Sequence, residues 1–179
     1  MAAKPEWCAG ESEIGLSDGV RLVIRPVHEA DSRLLRANFS KATAEDIHQR
    51  FFEYLKLLPD TLVDRLTHFD PCRELALVAV PRAGEGEPDD AYGVVRLAAD
   101  SDCCAAEYAI IVRHDWQGRG LGWALTEAVL SAARRKGLKT VFALVLCDNE
   151  RMIRMLREFG FVFQDSTDEG GVLRAELAL

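Results

Sequence analysis

Short apolar segments separated by polar and glycine-rich stretches predict a series of β-strands. Residues 105–112 are apolar apart from Glu107 and Tyr108, and residues 140–146 are apolar after an initial threonine. Runs of this kind are typical of strands that are covered on both faces. We expect the first run to be the central strand, and shorter or alternating patterns predict strands at residues 20–27, 74–80, 91–98, 161–165 and 171–178.

Apolar residues at helical spacing predict the helices. A first helix is expected within residues 28–39, and two or three short helices within residues 43–69. A long amphipathic helix follows the central strand and ends at Gly137, after basic residues that suit a helix C-terminus. A last helix is expected after Asn149, whose side chain can cap it.

The order of these elements predicts one domain of the α/β (α+β) class. A strand-helix-strand unit makes residues 140–146 parallel to the central strand. The strands at residues 74–80 and 91–98 and the central strand form an antiparallel meander, with a loop at residues 82–90. The expected sheet is mixed and mostly antiparallel, with about six or seven strands flanked by helices. Residues 1–18 are expected to be a flexible N-terminal arm, followed by a single domain at residues 19–179.

Three glycines mark the junction between the central strand and the long helix, in the segment Gln117-Gly118-Arg119-Gly120-Leu121-Gly122. The N–H groups at the start of a helix lack intrahelical partners, and the helix dipole adds partial positive charge there. Glycine lets an anion approach because it has no side chain. The segment therefore predicts a phosphate or pyrophosphate site, although an ordinary glycine-rich turn has a similar composition.

Two common nucleotide-binding loops do not fit this segment. A P-loop ends in Gly-Lys-Ser/Thr, whereas Gly122 is followed by Trp123. The dinucleotide fingerprint requires G-x-G-x-x-G and an acidic residue about 20 positions later, whereas the spacing here is G-x-G-x-G. Neither a triphosphate with magnesium nor a dinucleotide is expected.

Composition narrows the range of partners. The 179 residues carry a net charge of −7, which disfavours nucleic-acid binding and favours a cationic partner. The five cysteines lack metal-ligand spacing, so reduced thiols and no metal site are expected. No segment has the length of a membrane span or the apolar core of a signal peptide, so we predict a cytoplasmic protein without membrane contact.

Two motifs together resemble the GNAT superfamily of N-acetyltransferases. The acyl-CoA pyrophosphate loop of that superfamily, Gln/Arg-x-x-Gly-x-Gly/Ala, is matched by Gln117, Gly120 and Gly122. Its Asn…Gly-Phe segment is matched by Asn149 followed by Gly160-Phe161. The resemblance implies a GNAT-type fold and acetyl-CoA as the co-substrate. It also implies a backbone N–H donor for the acyl oxygen within residues 110–112. The residues expected to bind the cofactor are Ile110, Ile111, Val112, Gln117, Gly118, Arg119, Gly120, Leu121, Gly122 and Asn149.

Glu107 is the candidate general base. A lysine amine with a pKa of about 10.4 is neutral in roughly one molecule in 10³ at pH 7, so a base is needed. Alternation places Glu107 on one strand face with the small residue Ala109, where burial would strengthen it as a base. The resemblance agrees, because related GNAT enzymes carry a catalytic glutamate at this position. An ion pair with Arg96 on the neighbouring strand is the alternative role.

One position departs from the family pattern. Many GNAT enzymes have a tyrosine seven residues after the asparagine that can protonate the leaving thiolate, and this position is Leu156 here. Tyr108 and solvent are the remaining candidates for that proton. Cys147 follows a strand but has no histidine partner in the sequence pattern, so an acyl-cysteine intermediate is not expected.

Two further clusters each allow two roles. The first consists of apolar residues that suit either the core or the wall of an acceptor pocket: Phe51, Phe52, Tyr54 and Leu55. The second consists of basic residues at every third position, which suit a solvated helix edge or contact with cofactor phosphates: Arg151, Arg154 and Arg157.

Three segments carry a more specific resemblance. They are similar to the acetyltransferase domain of bacterial protein lysine acetyltransferases, and their sequences are AEYAIIVRHDWQGRGLG, RFFEYLK and LTHFDPCRELALVAV. The expected function is transfer of an acetyl group from acetyl-CoA to a primary amine by direct attack in a ternary complex, with a protein lysine as acceptor. A small-molecule amine acetyltransferase and a non-catalytic acyl-CoA-binding sensor are the alternatives.

Overall fold

The computed structural model describes residues 10–85, 90–164 and 171–179. The strands in these segments are β1 (Ser12–Gly15), β2 (Arg21–Pro26), β3 (Glu74–Pro81), β4 (Gly93–Ala99), β5 (Ala105–Val112), β6 (Thr140–Leu146), β7 (Val162–Gln164) and β8 (Val172–Ala178). The helices are α1 (Ser32–Ser40), α2 (Ala44–Phe51), α3 (Asp60–Thr67), α4 (Leu121–Lys136) and α5 (Glu150–Glu158). Each predicted strand and helix has a counterpart. The centre of the predicted 82–90 loop, at residues 86–89, and the end of the predicted 161–165 strand lie outside the described residues.

The eight strands of the described segments form one sheet, in the order β1-β2-β3-β4-β5-β6-β8-β7. Neighbouring strands are antiparallel except β5 and β6, which are parallel and are connected through α4. This confirms the predicted meander, the parallel pair and a mixed, mostly antiparallel sheet. The sheet has more strands than expected because the sequence pattern does not predict β1.

Strand β1 corrects the predicted N-terminal arm. Ser12–Gly15 pairs with β2, and shortly after it the Ser17 hydroxyl donates a hydrogen bond to the Arg119 carbonyl oxygen at 3.1 Å. The segment therefore forms the sheet edge and then contacts the glycine turn. Its one apolar side chain, Ile14, lies among polar neighbours, which gives too short a pattern for a strand prediction. Residues 1–9 of the predicted arm lie outside the described part of the chain.

Helices α4 and α5 cover one face of the sheet. Tyr108 of β5, Leu125 of α4 and Leu156 of α5 belong to this layer, and each is at most 2% exposed. Apolar burial of this kind is the main stabilising contribution to such a fold. The layer fixes the direction in which α4 leaves the glycine turn.

Helices α1, α2 and α3 cover the opposite face, over β3 to β5. Leu35, Phe39 and Val63 of these helices belong to a second core with Val78 and Val94 of the sheet. Beyond β5, towards β6 and β7, the face is open. We call this surface the open face, and the strand registers place on it Glu107, Phe142, Leu144, Val162, Arg174 and Glu176.

Strands β5 and β6 pair over only part of their length. Their register runs from Ala105 and Thr140 to Tyr108 and Ala143. Beyond that point β5 continues beside β4 to Val112, while β6 continues beside β8. The two strands therefore separate, and the edge of β5 that faces β6 is left without a strand partner among the described residues.

Candidate active site

The glycine turn forms the start of α4, as the sequence predicts. Gly120 precedes the helix with a φ of 91°, and Gly118 has a φ of 75°. These left-handed conformations favour glycine. A side chain built at either position would meet no atom within 4 Å. The turn therefore faces open space and leaves the first N–H groups of α4 accessible to a ligand.

A cleft of about 350 Å³ lies against this turn, between the separated ends of β5 and β6. Helix α2 contributes to one side of it and α5 to the other. The lining residues are Asp46, Gln49, Arg50, Ile110, Ile111, Val112, Gln117, Gly118, Gly120, Gly122, Trp123, Leu144, Val145, Asn149, Arg151, Met152, Arg154, Met155 and Glu158. The cleft thus brings together a helix N-terminus, a free strand edge and several basic side chains.

Eight of the ten predicted cofactor residues line the cleft: Ile110, Ile111, Val112, Gln117, Gly118, Gly120, Gly122 and Asn149. The other two do not. Leu121 is 1% exposed in the core. The Arg119 guanidinium pairs with Asp18 at 3.1 Å and lies over the Trp116 ring. Both of these side chains point away from the cleft, which leaves only their backbone groups for a cofactor contact. The binding role of all ten residues stays a prediction.

The free edge of β5 presents two backbone donors to the cleft. Next to it, the Arg113 N–H donates to the Tyr92 carbonyl oxygen at 2.9 Å, in the direction of β4. The N–H groups of an antiparallel strand alternate in direction, so the N–H of Ile111 points to β4 and those of Ile110 and Val112 point to the cleft. The candidates for the predicted oxyanion donor are therefore the N–H groups of Ile110 and Val112.

Gln117 connects the glycine turn to α2. Its Nε2 donates to the Asp46 carboxylate at 2.6 Å and to the Val112 carbonyl oxygen at 2.9 Å. Its Oε1 accepts a hydrogen bond from Arg151. Asp46 is buried and also accepts a hydrogen bond from the Thr43 hydroxyl at 2.7 Å. The Asp46 carboxylate, which lies near the predicted anion site, is thus hydrogen-bonded to donors of the protein itself.

Asn149 caps α5, as predicted, because its Oδ1 accepts a hydrogen bond from the Met152 N–H at 3.1 Å. Arg151 and Arg154 of the same helix line the cleft. Arg157 instead lies over an aromatic ring of β7, with its guanidinium carbon 5.3 Å from the ring centroid. The three arginines of this helix therefore divide between the two roles that their spacing allows, and two of them add positive charge to the cleft.

Glu107 lies on the open face, one residue before the last position at which β5 pairs with β6. Its expected burial is wrong: the side chain is exposed, because the core under α1, α2 and α3 does not extend to this point of the sheet. The alternative ion pair with Arg96 is not formed either, since Arg96 pairs with Glu74 of β3. No described residue holds the Glu107 carboxylate by a hydrogen bond or an ion pair. The carboxylate is therefore available where the strands separate.

Tyr108 does not reach the cleft. It is 2% exposed on the opposite face of the sheet, with its hydroxyl 2.7 Å from the Thr126 Oγ1. Burial raises its pKa above the ordinary value. Tyr108 is therefore wrong as a source of the thiolate proton, and Leu156, which is fully buried, supplies no donor. Of the candidates that the sequence offers, solvent remains.

Two features of the cleft escape sequence analysis. Trp123 is 40% exposed and stacks on Phe159 with ring centroids 4.1 Å apart, so it forms an aromatic wall. Its position directly after the last glycine is the only signal in the sequence. Arg50 reaches the cleft from α2. It is the first residue of the RFFEYLK segment, but that resemblance does not assign a role to its side chain.

The donors of the cleft fit the pyrophosphate and thioester of an acyl-CoA. The open glycine turn, the start of α4, Arg151 and Arg154 suit phosphate oxygens, and the N–H groups of Ile110 and Val112 suit a carbonyl oxygen. Among the described residues, no group of His, Cys, Asp and Glu could hold a metal ion. No helix in the described segments is long and apolar enough to span a bilayer.

Comparisons with known proteins agree with this geometry. The Acetyltransferase (GNAT) family matches residues 41–161. An acetyltransferase of Pseudomonas aeruginosa is 29% identical over 164 residues, which cover 92% of this chain and 87% of that protein. These matches favour an enzyme over a non-catalytic sensor.

Two solved structures share the fold. The GNAT domain of S. lividans PAT has a TM-score of 0.85 and 28% sequence identity, and the match covers 97% of both chains. A spermidine N-acetyltransferase of Vibrio cholerae, solved with CoA and spermine, has a TM-score of 0.70 and 19% identity, covering 88% of this chain and 95% of that one. With the glycine turn, the strand separation and the family match in agreement, this chain belongs to the GNAT family of acetyltransferases.

Proposed function

We propose that the protein transfers the acetyl group of acetyl-CoA to a primary amine by direct attack in a ternary complex, with a lysine on a protein as the acceptor. The position of Glu107 carries the proposal. This carboxylate lies on the open face beside the point where β5 and β6 separate and the cleft begins. An amine that approaches over the open face would reach Glu107 next to an acyl group held in the cleft.

The reaction needs a base, a donor for the oxyanion and a proton for the leaving group. Glu107 accepts a proton from the ammonium group, directly or through water, which offsets a cost of about 4–5 kcal/mol for a lysine at neutral pH. The neutral nitrogen then attacks the thioester carbon, so a C–N bond forms and the C–S bond breaks. The N–H of Ile110 or Val112 donates to the developing oxyanion. The thiolate takes a proton from solvent, and the attacking nitrogen releases its second proton to solvent as the amide forms.

The shape of the open face supports a protein acceptor. Small-molecule sites are concave and bury most of the ligand, whereas Leu144 and Val162 of the open face are 39% and 70% exposed. A surface of this kind suits a side chain presented by a folded protein. The net charge of −7 also attracts lysine-rich surfaces. The resemblance of three segments to protein lysine acetyltransferases points in the same direction.

The test compares intact proteins with free amines as acceptors. The enzyme and acetyl-CoA are mixed with lysine-rich folded proteins, or with free lysine, polyamines and amino-acid amides, at matched amine concentrations. Thiol release gives the rate, and mass spectrometry locates the acetyl group. We expect kcat/KM to be higher for the proteins and to fall as salt shortens the Debye length below about 8 Å.

Glu107→Gln provides the control, because it should bind acetyl-CoA and release little thiol with any acceptor. A small amine whose kcat/KM exceeds that of every protein by orders of magnitude would overturn the protein-lysine assignment. That outcome would favour the small-molecule amine alternative, and the acetyl transfer itself would stand.

A further inference from the structure

A second, smaller cavity lies beside the cleft, on the side of the sheet that α1, α2 and α3 cover. Its volume is about 30 Å³, which is enough for one or two water molecules or a polar group of that size. We call it the inner cavity. Its wall is apolar apart from Asn38, Arg50 and Arg96. Arg50 and Ile111 line both the inner cavity and the cleft, so the two spaces are adjacent.

All three polar residues of this wall have groups without protein partners. The Arg50 guanidinium lies over the Phe51 ring, 4.8 Å from its centroid, and has no hydrogen-bond or ion-pair partner among the described residues. The Nε of Arg96 and the Oδ1 of Asn38 are buried, and no described residue bonds to either. Buried polar groups are nearly always hydrogen-bonded in folded proteins. The Arg96 Nε and the Asn38 Oδ1 are two such groups, and together with the half-buried Arg50 guanidinium they surround one small space, which indicates a site for a polar ligand.

The charges around the inner cavity favour an anion. Arg96 pairs with Glu74, and Arg50 interacts at longer range with the Glu107 carboxylate and with the like charges of Arg96 and Arg65. The Arg50 guanidinium is therefore the charged group of the cavity wall that has no ion-pair partner among the described residues. Burial and the neighbouring Arg96 lower the pKa of Arg50 to about 10. Arg50 therefore stays protonated at neutral pH, with its charge only partly compensated.

We propose that the inner cavity binds a carboxylate carried by one of the two reactants, held by Arg50, the Nε–H of Arg96 and the amide of Asn38. Rotation of the Asn38 amide exchanges Oδ1 for Nδ2, so all three groups can donate hydrogen bonds to carboxylate oxygens. Guanidinium and carboxylate groups match in charge and in planar geometry. The identity of the reactants rests on the proposed function.

Two sources can supply this carboxylate. One is the far end of a dicarboxylic acyl group that enters the inner cavity from the cleft past Arg50. The other is a carboxylate of the acceptor, close to the amine that Glu107 deprotonates. The two sources present the same chemistry to Arg50 and are distinguished by separate binding measurements.

The first arm of the experiment measures acyl-CoA binding by calorimetry, which requires no turnover. Succinyl-CoA and butyryl-CoA have acyl chains of equal length, and only the former ends in a carboxylate. If the acyl group supplies the carboxylate, succinyl-CoA should bind about 10- to 100-fold more tightly, as a charge-assisted hydrogen bond in a partly buried site allows.

The second arm measures acceptor binding to the enzyme with CoA bound. Glutamate is compared with glutamine, and lysine with lysinamide, because the members of each pair differ by one carboxylate. If the acceptor supplies the carboxylate, the charged member of a pair should bind more tightly by a similar factor of about 10 to 100.

Two variants assign the preference to the inner cavity. Arg50→Met should remove it in whichever arm shows it. Arg65→Met is the matched control, because it removes a neighbouring positive charge that lies on the exposed side of α3 and outside the cavity wall. Asn38→Asp places a carboxylate in the cavity itself and should also remove the preference, with an unchanged or higher melting temperature. This variant keeps the test informative if Arg50→Met folds poorly.

A preference that needs Arg50 in the first arm assigns the carboxylate to the acyl group, and one in the second arm assigns it to the acceptor. A preference below about twofold in both arms, or one that both Arg50→Met and Asn38→Asp retain, overturns the inference and leaves a hydrated cavity. Both arms are binding measurements, so their outcome is independent of acetyl transfer to proteins. Failure of that transfer would appear as missing thiol release instead.

Discussion

The two sides of β5 are built in different ways. On the cleft side, the groups that face the proposed cofactor are largely backbone groups: the glycine turn, the start of α4 and the N–H groups of Ile110 and Val112. On the opposite side, the available groups are side chains, namely Glu107 on the open face and Arg50 and Arg96 at the inner cavity. Backbone geometry follows from the fold, whereas the side chains can differ between proteins that share it. We infer that the fold determines binding of the CoA moiety and that a few side chains determine which reactants are accepted.

The largest effect should come from Glu107→Gln. We expect turnover at pH 7 to fall by about 10²–10⁴, the usual contribution of a positioned general base, while acetyl-CoA affinity stays the same. The loss should shrink as the pH approaches the pKa of a lysine amine, about 10.4, because the amine then deprotonates without help. Pre-steady-state thiol release and calorimetric binding measure the two quantities.

Glu127→Gln is the control for this substitution, because Glu127 is exposed on α4, away from the open face. If Glu107→Gln turns over at the wild-type rate, the carboxylate is not the base. The side of β5 that presents side chains would then lack its proposed catalytic residue.

Gly120→Asp tests whether the backbone groups of the glycine turn bind the cofactor. A carboxylate at this position would occupy the proposed phosphate site with both bulk and like charge, so stabilisation by acetyl-CoA should disappear. For the wild type that stabilisation is about 2.7 kcal/mol at a ligand concentration of 100 times Kd. Melting curves with acetyl-CoA, CoA, NAD and ATP provide the measurement, and only the first two ligands should stabilise the wild type.

Gly137→Asp is a closely matched control. Gly137 follows the other end of α4 with a φ of 83°, and a side chain there would also meet no atom within 4 Å. Both variants should lose about 1–2 kcal/mol of stability from the left-handed conformation, but Gly137→Asp should keep the response to acetyl-CoA. Loss of the response in both variants, or a response to NAD in the wild type, would contradict the assignment of the turn.

The elements that can be predicted from the sequence are those whose pattern is set locally. Strand β6 is an unbroken apolar run, helix α4 has a long amphipathic pattern, and the glycines of the turn reflect a backbone requirement. Strand β1 contributes a single apolar side chain, Ile14, so its position depends on pairing with β2 rather than on its own pattern. Local patterns therefore recover most of the fold and the cleft side of the site.

The opposite side of β5 depends on tertiary packing, which a sequence pattern does not contain. The exposure of Glu107 follows from how far α1, α2 and α3 extend over the sheet. Arg50 reaches both cavities only because α2 packs beside β5. Strand alternation does carry one signal about the site: Tyr108 directly follows Glu107, so the two side chains must point to opposite faces.

Asp31→Asn tests how the helical side is attached to the sheet. The Asp31 carboxylate accepts hydrogen bonds from the Arg25 guanidinium at 2.7 and 2.8 Å and from the His28 N–H at 2.8 Å. Burial raises its pKa, but these hydrogen bonds outweigh that effect and lower the pKa below the ordinary value of 3.8. The substitution should cost about 1.5–3 kcal/mol of unfolding free energy at pH 7, as for hydrogen bonds to a charged group.

The pH dependence has a definite sign. A carboxylate whose pKa is depressed in the folded state stabilises the protein above its ordinary pKa, and this contribution is lost as the pH falls through the folded value. Urea unfolding should therefore show a constant difference between wild type and Asp31→Asn from pH 7 to about pH 4 and a shrinking difference below. Asp64→Asn, at an exposed position of α3, should show neither effect. A difference that grows on acidification would contradict the ion pair as the cause.

The smallest effect should come from Gln117→Leu, which tests whether the two sides of β5 act independently. Gln117 bonds to Asp46 of α2, to the end of β5 and to Arg151 of α5, so it connects both sides of the site. Removing it leaves Asp46 with one donor fewer and frees Arg151. We expect the Kd for acetyl-CoA to rise about tenfold, the contribution of one or two partly buried hydrogen bonds.

Steady-state kinetics decide whether the two sides also act as one unit. If Gln117 serves only the donor side, Gln117→Leu should raise the KM for acetyl-CoA and leave kcat at saturation nearly unchanged, since the lost interaction is equal in the ground state and the transition state. Glu127→Leu, at an exposed position of α4 away from the open face, should change neither quantity. A fall in kcat of more than about tenfold would show that α2 must be held by Gln117 for the acceptor to react. In that case the backbone side and the side-chain side of β5 are coupled through this one amide, and the division between them holds for binding but not for catalysis.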